Sequence, residues 1–384
     1  ALSPDGRTLV FTAKDEGLRE AWSTNSDLFA VSLPPGGKPA TPRKMTANTA
    51  ADSQPRFSPD GRNLAYLAMS RPGHEADRNR IILRNLADGR ERILDLRVEA
   101  GAGGDRSPDN LVWSPDGKTL YVTADHLGQH ALFAVDVATG SSRLLMKTGN
   151  TTNPQPLPSG KAVLLAWNSL IQPTELYLLG VHGGDSRRIT RINDRRLEKI
   201  NFGKSEDFTF VGARGDTVHG RLVYPVPFHR ERKYPVALVV HGGPESSNLN
   251  EFHYRWHPQI LAGAGYAVLC VNPFYRWANA PVVYSGHDFD DPGVRETLFG
   301  YLKQLNRTLV QTDAKAHLAF LDAQAEVDTA KGIGTAGYCM GGPMVIYTAA
   351  LNPARVKAAA SFHGASVATD KPDSPHLLIP ASDA

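Results

Sequence analysis

A four-residue phrase that returns at a nearly constant interval constrains this chain more than any other feature. Ser3-Pro4-Asp5-Gly6-Arg7 recurs as Ser58-Pro59-Asp60-Gly61-Arg62 and as Ser114-Pro115-Asp116-Gly117-Lys118, with a degraded copy at Pro158-Ser159-Gly160-Lys161. The spacings are 55, 56 and about 44 residues. Pro presets φ and Gly accepts positive φ, so Pro-Asp-Gly is a turn with its own chemistry. An apolar strand follows each good copy, as in Thr8-Leu9-Val10-Phe11 and Thr119-Leu120-Tyr121-Val122. An apolar residue, Leu2, Phe57 or Trp113, precedes each Ser. That pattern suits a hairpin with one face buried. A further hairpin reads from Leu132 to Gly140. Repeats of this length predict propeller blades of four strands each. About four blades fit into the first 200 residues; a closed four-bladed propeller is one solution, and a partial array is expected, since the first copy begins at Ser3. Such an array either filters substrate for a neighbouring enzyme or serves as an interaction scaffold.

From about Phe202 the period changes. Phe208-Thr209-Phe210 and Val218 to Tyr224 read as an antiparallel pair. Val236 to Val240, Tyr266 to Val271 and Ile333 to Tyr338 are apolar runs suited to strands buried on both faces. The expectation is that 266–271 is a central parallel strand flanked by 236–240 and 333–338. Helical periodicity is read near 258–264, over 291–306 and again through Leu318 and Leu321, with Asp313 as a cap. A helix is expected from Met340 to about Leu351, a strand at 356–362 and the start of another at Leu377-Leu378-Ile379. Alternating strands and helices predict a mostly parallel sheet. With 384 residues, two domains are expected, residues 1–200 and 201–384.

One motif carries chemistry. Gly337-Tyr338-Cys339-Met340-Gly341-Gly342 lies between a strand and a helix, a Gly-x-Ser-x-Gly elbow with Cys in place of Ser. Its glycines permit the sharp turn that lifts a nucleophile above the sheet. The helix start behind it favours a thiolate, and the Met340 N–H can face an oxyanion. Upstream, His241-Gly242-Gly243-Pro244 ends a strand, and Gly242 and Gly243 can supply the second oxyanion donor. His241 reads as structural, and Glu245 as a resting-state contact of the thiol. The bland alternatives are a Gly-rich turn around a small buried Cys and an ordinary strand-end turn. The other cysteine, Cys270, sits inside an apolar strand and is expected to be inert.

The chain resembles two families in succession. Residues 1 to about 272 resemble the prolyl oligopeptidase family, in its bacterial dipeptidyl-peptidase and acylaminoacyl-peptidase branch. The carriers are the Ser-Pro-Asp-Gly repeats, Lys233-Tyr234-Pro235, His241-Gly242-Gly243-Pro244, Phe252-His253-Tyr254-Arg255-Trp256 with Gln259, and Gly265-Tyr266-Ala267-Val268. Residues from about 263 to 384 resemble the dienelactone hydrolase family. Phe274-Tyr275-Arg276, Leu321-Asp322-Ala323-Gln324, the Cys339 elbow and Ser361-Phe362-His363-Gly364 carry that likeness. The first resemblance implies a propeller gating a serine-peptidase α/β-hydrolase domain. The second implies lactone or ester hydrolysis by a Cys-Asp-His triad, with Cys339 as nucleophile and Arg276 holding a substrate carboxylate. A switch within Gly265 to Pro273 reads as a fusion at a homologous strand.

In this fold the acid and then the base follow the nucleophile. Asp370, Asp373 and Asp383, with His363 and His376, are the groups present after Cys339, and none stands where that order places the acid or base. The expected architecture is therefore a partial β-propeller of about four blades, then a C-terminally truncated α/β-hydrolase domain with a mostly parallel sheet. The expected chemistry is hydrolysis of ester, lactone or peptide acyl bonds through Cys339, with turnover by this chain open. The alternative is a non-catalytic propeller module joined to a hydrolase remnant. The expected partners are a small ester, lactone or short peptide. A net charge of +3 gives no argument for nucleic acid, no apolar run reads as a membrane span, and no cofactor or metal is implied. Localisation stays open between cytoplasm and periplasm.

Overall fold

The computed structural model describes residues 1–20, 23–38, 40–73, 77–96, 106–211, 217–240, 250–254, 257–271, 306–325, 327–338, 341–364 and 366–379. These divide into two compact units. The first holds Ala1–Asn168 and Thr174–Arg191; the second holds Ser169–Pro173 and the described residues from Ile192 onward.

The first unit is built of strands. β1 (Thr8–Ala13), β2 (Asp27–Ser32) and β3 (Arg43–Lys44) form one antiparallel sheet. β4 (Asp52–Phe57), β5 (Asn63–Ala68), β6 (Arg80–Asn85) and β7 (Glu91–Leu94) form a four-stranded meander. β8 (Pro108–Trp113), β9 (Thr119–His126), β10 (Gln129–Asp136) and β11 (Ser142–Met146) repeat it. β12 (Asn150–Pro156), β13 (Ala162–Ser169), β14 (Gln172–Gly180) and β15 (Ser186–Arg188) repeat it again. A single parallel bridge, His130 to Asn150, joins the last two meanders. No strand pairing joins the first sheet to the last among the described residues.

Each repeated phrase lies where the sequence places it. Two good copies connect β4 to β5 and β8 to β9; the first precedes β1. The Ser58 hydroxyl donates to Asp60 Oδ1 at 2.6 Å and accepts from the Asn63 N–H at 2.9 Å. Ser3 and Ser114 make the same pair of bonds. Gly6, Gly61 and Gly117 take φ of +71°, +70° and +70°, where a Cβ would be strained. Successive turns also touch. A Cβ on Gly61 would lie 3.6 Å from Pro4 Cδ, and one on Gly117 3.6 Å from Pro59 Cδ.

Consecutive sheets bury their facing sides together. Val10, Leu28 and Ala30 pack with Leu64, Tyr66 and Ile82. Leu67, Ile81 and Leu83 from the second sheet pack with Leu111, Trp113, Leu120 and Phe133 from the third. Tyr121, Leu132 and Leu145 pack with Val163, Leu165 and Leu179. Alternation along each strand feeds both of its faces, as a stacked array requires.

The second unit centres on a six-stranded sheet in the order β16-β17-β19-β18-β20-β21. The strands are β16 (Ser205–Val211), β17 (Thr217–Val223), β18 (Val236–Val240), β19 (Ala267–Val271), β20 (Ile333–Tyr338) and β21 (Val356–Phe362). β18 to β21 run parallel; β16 and β17 are antiparallel, as the sequence suggests. The helices are α1 (Asp194–Leu197), α2 (Pro258–Gly263), α3 (Arg307–Asp322) and α4 (Gly341–Leu351). Period-2 alternation splits β18 between two cores. Val236, Leu238 and Val240 join Leu318 and Leu321 of α3 and Val345 of α4. Ala237 faces the other way, with Leu170, Val268, Cys270 and Ala262 of α2.

Three expectations change. β19 is interior and beside β18, but its other neighbour is β17, antiparallel through Gly220 to Val223; β20 lies on the far side of β18. All three parallel strands are short runs without a charged residue, and composition does not order them. The cap of α3 is Asn306, whose side chain accepts from the Leu309 N–H at 3.1 Å, while Asp313 lies within the helix. Leu377-Leu378-Ile379 starts no strand: Pro375–Leu378 form a single 3-10 turn. There the Ser374 hydroxyl accepts from the Thr369 N–H at 2.8 Å, and Pro375 favours the turn through its fixed φ. The helix expected over 291–306 lies, apart from Asn306, outside the described residues.

Candidate active site

β18, β19 and β20 are neighbouring parallel strands, so the chain leaves all three at one edge of the sheet. Val240 pairs with Val271 on one side and with Gly337 on the other. The expected site residues follow these strand ends in sequence: Gly242 and Gly243 after β18, Arg276 after β19, Cys339 and Met340 after β20. All five, with His241 and Glu245, lie outside the described residues. The described frame thus brings their points of departure to one edge of the sheet, at the carboxyl ends of the strands. Ligands bind there in open α/β sheets.

The flanks of Cys339 are described and are tightly constrained. A Cβ on Gly337 would overlap the carbonyl oxygen of Gly341 and come within 2.8 Å of Val345 Cγ1. Strand end and helix start therefore close to within backbone contact across the residues between them. Only glycine fits at position 337, which is the steric demand of an elbow. Gly341 and Gly342, the first residues of α4, are buried.

Cys270 has the character expected of it. It is a buried free thiol on β19, and burial pushes it up to about 12, with Arg221 nearby opposing the shift. A thiol so protected is a poor nucleophile. His363, the residue after β21, lies in the left-handed region, φ +43°. His376 accepts or donates at Nδ1 with Ser374 Oγ, 2.7 Å away, and the backbone oxygen of Asp373 accepts from the Tyr347 hydroxyl at 2.7 Å. Asp370 is exposed, and Asp383 lies outside the described residues.

Gln259, singled out by its resemblance, acts as a clasp. Its side chain accepts from the Gly203 N–H at 2.7 Å and donates to the Gly203 carbonyl at 2.8 Å. His257, just before α2, is buried against Phe252, their ring centroids 4.5 Å apart. Burial, with His253 nearby, lowers its pKa to about 4. Sequence reasoning missed a second polar cluster, in the first unit. His130 on β10 bonds Asp125 through Nδ1 at 2.9 Å and Asp109 through Nε2 at 3.0 Å. Burial alone would favour the neutral imidazole, but the two carboxylates outweigh it and raise the pKa to about 10. The three residues sit on three strands, so no local pattern announces them. No group of three or more His, Cys, Asp or Glu suited to a metal occurs among the described residues.

Residues 223–383 match the dienelactone hydrolase family. Dipeptidyl-peptidase 5 of Arthroderma otae is 32% identical over 285 residues, covering 71% of this chain and 38% of that protein. Dipeptidyl-peptidase 5 of Trichophyton schoenleinii is 31% identical over 284 residues, with the same coverage of 71% and 38%. The chain thus spans less than half the length of these curated relatives. Among solved structures, the Pyrococcus horikoshii acylaminoacyl peptidase superposes with a TM-score of 0.63 at 19% identity, over 94% of this chain and 50% of that one. A puromycin-hydrolysing peptidase of Mycobacterium tuberculosis gives 0.59 at 18% identity, over 98% and 56%. At these identities the likeness is one of fold. The chain therefore resembles peptidases of the prolyl oligopeptidase type and, in its second half, the dienelactone hydrolase family.

Proposed function

We propose that this chain is part of an α/β-hydrolase that cleaves acyl bonds, short peptides first among them, through Cys339. The observation that carries the reading is the backbone contact of Gly337 with Gly341, at the carboxyl edge where β18, β19 and β20 end together. The peptidase relatives favour peptide substrates; the dienelactone hydrolase match extends the class to esters and lactones. The stacked sheets of residues 1–200 are read as about four blades of a propeller, and residues 201–384 as the hydrolase domain.

The chemistry follows from the residue types. The Cys339 sulfur gives up its proton to a base and attacks the acyl carbonyl carbon. A C–S bond forms, and the carbonyl oxygen becomes an oxyanion facing the N–H groups of Met340 and of Gly242 or Gly243. Collapse breaks the bond to the leaving amine or alkoxide, which takes up the proton. Water then attacks the thioester, releasing the acid and restoring the thiol. Arg276 would pair with a substrate carboxylate. This chemistry requires no metal or cofactor.

The test compares the two thiols. Iodoacetamide near neutral pH is expected to modify Cys339 well before the buried Cys270, and Cys339→Ala to remove hydrolysis of a p-nitrophenyl ester while Cys270→Ala retains it. Equal labelling of both thiols, or hydrolysis surviving Cys339→Ala, sinks the nucleophile assignment. A Cys339 no more reactive than a free thiol, together with no turnover, favours the propeller module joined to a hydrolase remnant.

A further inference from the structure

His257 is a buried titratable group of the second unit that the proposed chemistry does not use. It stands at the entry to α2, only 8% exposed, and neither Nδ1 nor Nε2 has a hydrogen-bond partner. A neutral imidazole carries one N–H donor and one acceptor nitrogen, so both go unmet here, which is uncommon for a buried polar side chain. The ring meets Phe252 edge to face, centroids 4.5 Å apart and planes at 80°. Phe252 meets Phe202 in the same manner, centroids 6.5 Å apart and planes at 78°. Polar bonds close the same junction. Gln259 accepts from the Gly203 N–H at 2.7 Å and donates to the Gly203 carbonyl at 2.8 Å. Asn250 Oδ1 accepts from the Leu170 N–H at 3.1 Å. Three stretches of chain remote in sequence, around Leu170, Phe202 and Phe252, thus meet within the second unit, and a partnerless imidazole lies among them.

We infer that His257 is an acid-sensitive pin of this junction: its protonation frees Asn250, Phe252 and Gln259 from Leu170, Phe202 and Gly203 while the sheet stays folded. The step adds one solvent proton to the unprotonated ring nitrogen and breaks no covalent bond. It turns the ring into a cation with two N–H donors, in a place where neither finds an acceptor. A buried charge without a partner is costly, and reaching water relieves it. The titratable groups on the described stretches that meet here are Glu251, His253 and Tyr254 beside Phe252, and Lys204 next to Gly203. The residues of α2 and of 169–173 add none. Burial is the main cause that holds the folded-state pKa down, to about 4, and His253 adds to it. The opened junction therefore binds the proton more tightly than the closed one. Opening is favoured as pH falls below the ordinary histidine value of about 6.5, and the effect grows until about pH 4. Between pH 7 and pH 5 the opening constant rises roughly twentyfold.

The experiment is amide hydrogen exchange of the full chain at pH 7 and pH 5, corrected for the intrinsic pH dependence of exchange. The Leu170 and Gly203 amides report on the junction, because each donates to one of its side chains. In wild type their protection is expected to fall roughly twentyfold at the lower pH, while the amides of β18 keep theirs. In His257→Phe, which retains an aromatic edge for Phe252 and does not titrate, protection is expected to be the same at both values. Circular dichroism reports folding; if His257→Phe fails it, His257→Gln takes its place. Protection in wild type that does not change with pH overturns the inference. So does an equal loss in the variant, which would assign the response to another group. A loss shared by β18 also overturns it, since the whole unit would then be unfolding.

Discussion

Two ionisable side chains of the first unit hold their protons more tightly in the folded state, over different ranges of pH. Asp52 is fully buried, and its Oδ1 accepts from Asn48 Nδ2 at 2.9 Å. Burial raises its pKa to about 6, opposed by Asn48 and Thr46 and reinforced by the charges of Asp27 and Glu91. The folded state therefore holds this proton more tightly than the unfolded chain. Stability falls as pH rises from about 4 to about 6 and stays lower above. Asp52→Asn should remove that slope and raise stability at pH 7 by about 1–2 kcal/mol, after allowance for burying the amide. Urea melts at pH 4.5 and 7 check this, and an unaltered slope refutes it. His130 shifts stability in the same direction over a higher range, from the opposite cause, because here it is the charged form that is stabilised. Its pKa is raised to about 10 by Asp109 and Asp125, so its contribution is complete below about 6.5 and is lost as pH climbs to 10. Asp109 is half exposed, which reduces the contribution to roughly 2 kcal/mol. His130→Gln should lower stability at pH 7 by about that amount and flatten the decline between pH 7 and 10. Equal alkaline slopes in both proteins would falsify this assignment.

At the scale of elements, the Ser-Pro-Asp-Gly turn acts as a small hydrogen-bonded lock between strands. Ser58 is 2% exposed and bridges the Asp60 carboxylate and the Asn63 N–H. Ser58→Ala leaves the half-buried Asn63 N–H without its acceptor, at a cost of about 1–3 kcal/mol. Ser3→Ala should cost less than 1 kcal/mol, because its turn is largely exposed and water can replace the hydroxyl. Chemical denaturation of the two variants tests the contrast, and equal losses would mean that burial does not govern the motif. The local chemistry explains why the turns were legible: every bond joins residues within five positions of each other. The close approach of Gly337 to Gly341 is legible for a similar reason, since the two are four positions apart. The start of α3 was misread because Asn306 and Asp313 are both acceptable caps in isolation. The choice is made where the helix packs through Val310, Leu318 and Leu321.

At the scale of the molecule, each unit has its own hydrophobic cores: among the described residues, three clusters lie in the first unit and two in the second. Units with separate cores can unfold as separate cooperative blocks. Scanning calorimetry is expected to show two overlapping transitions. Asp52→Asn should move only the one belonging to the first unit. A single transition that shifts as a whole would mean that the two units melt together.

The sequence by itself determined the strand-rich repeat region with its Ser-Pro-Asp-Gly turns and the buried parallel strands. These follow from turn chemistry and from the periodicity of apolar residues, which act between near neighbours in the chain. Only the tertiary structure decided that β19 lies between β17 and β18, that Leu377 begins no strand, and that His130 is clamped by two carboxylates. The physical reason is that strand order and side-chain clustering come from pairings between segments distant in sequence. Several pairings bury similar apolar area, and composition does not choose among them. The choice depends on backbone hydrogen bonds and close packing, which exist only once the chain is folded.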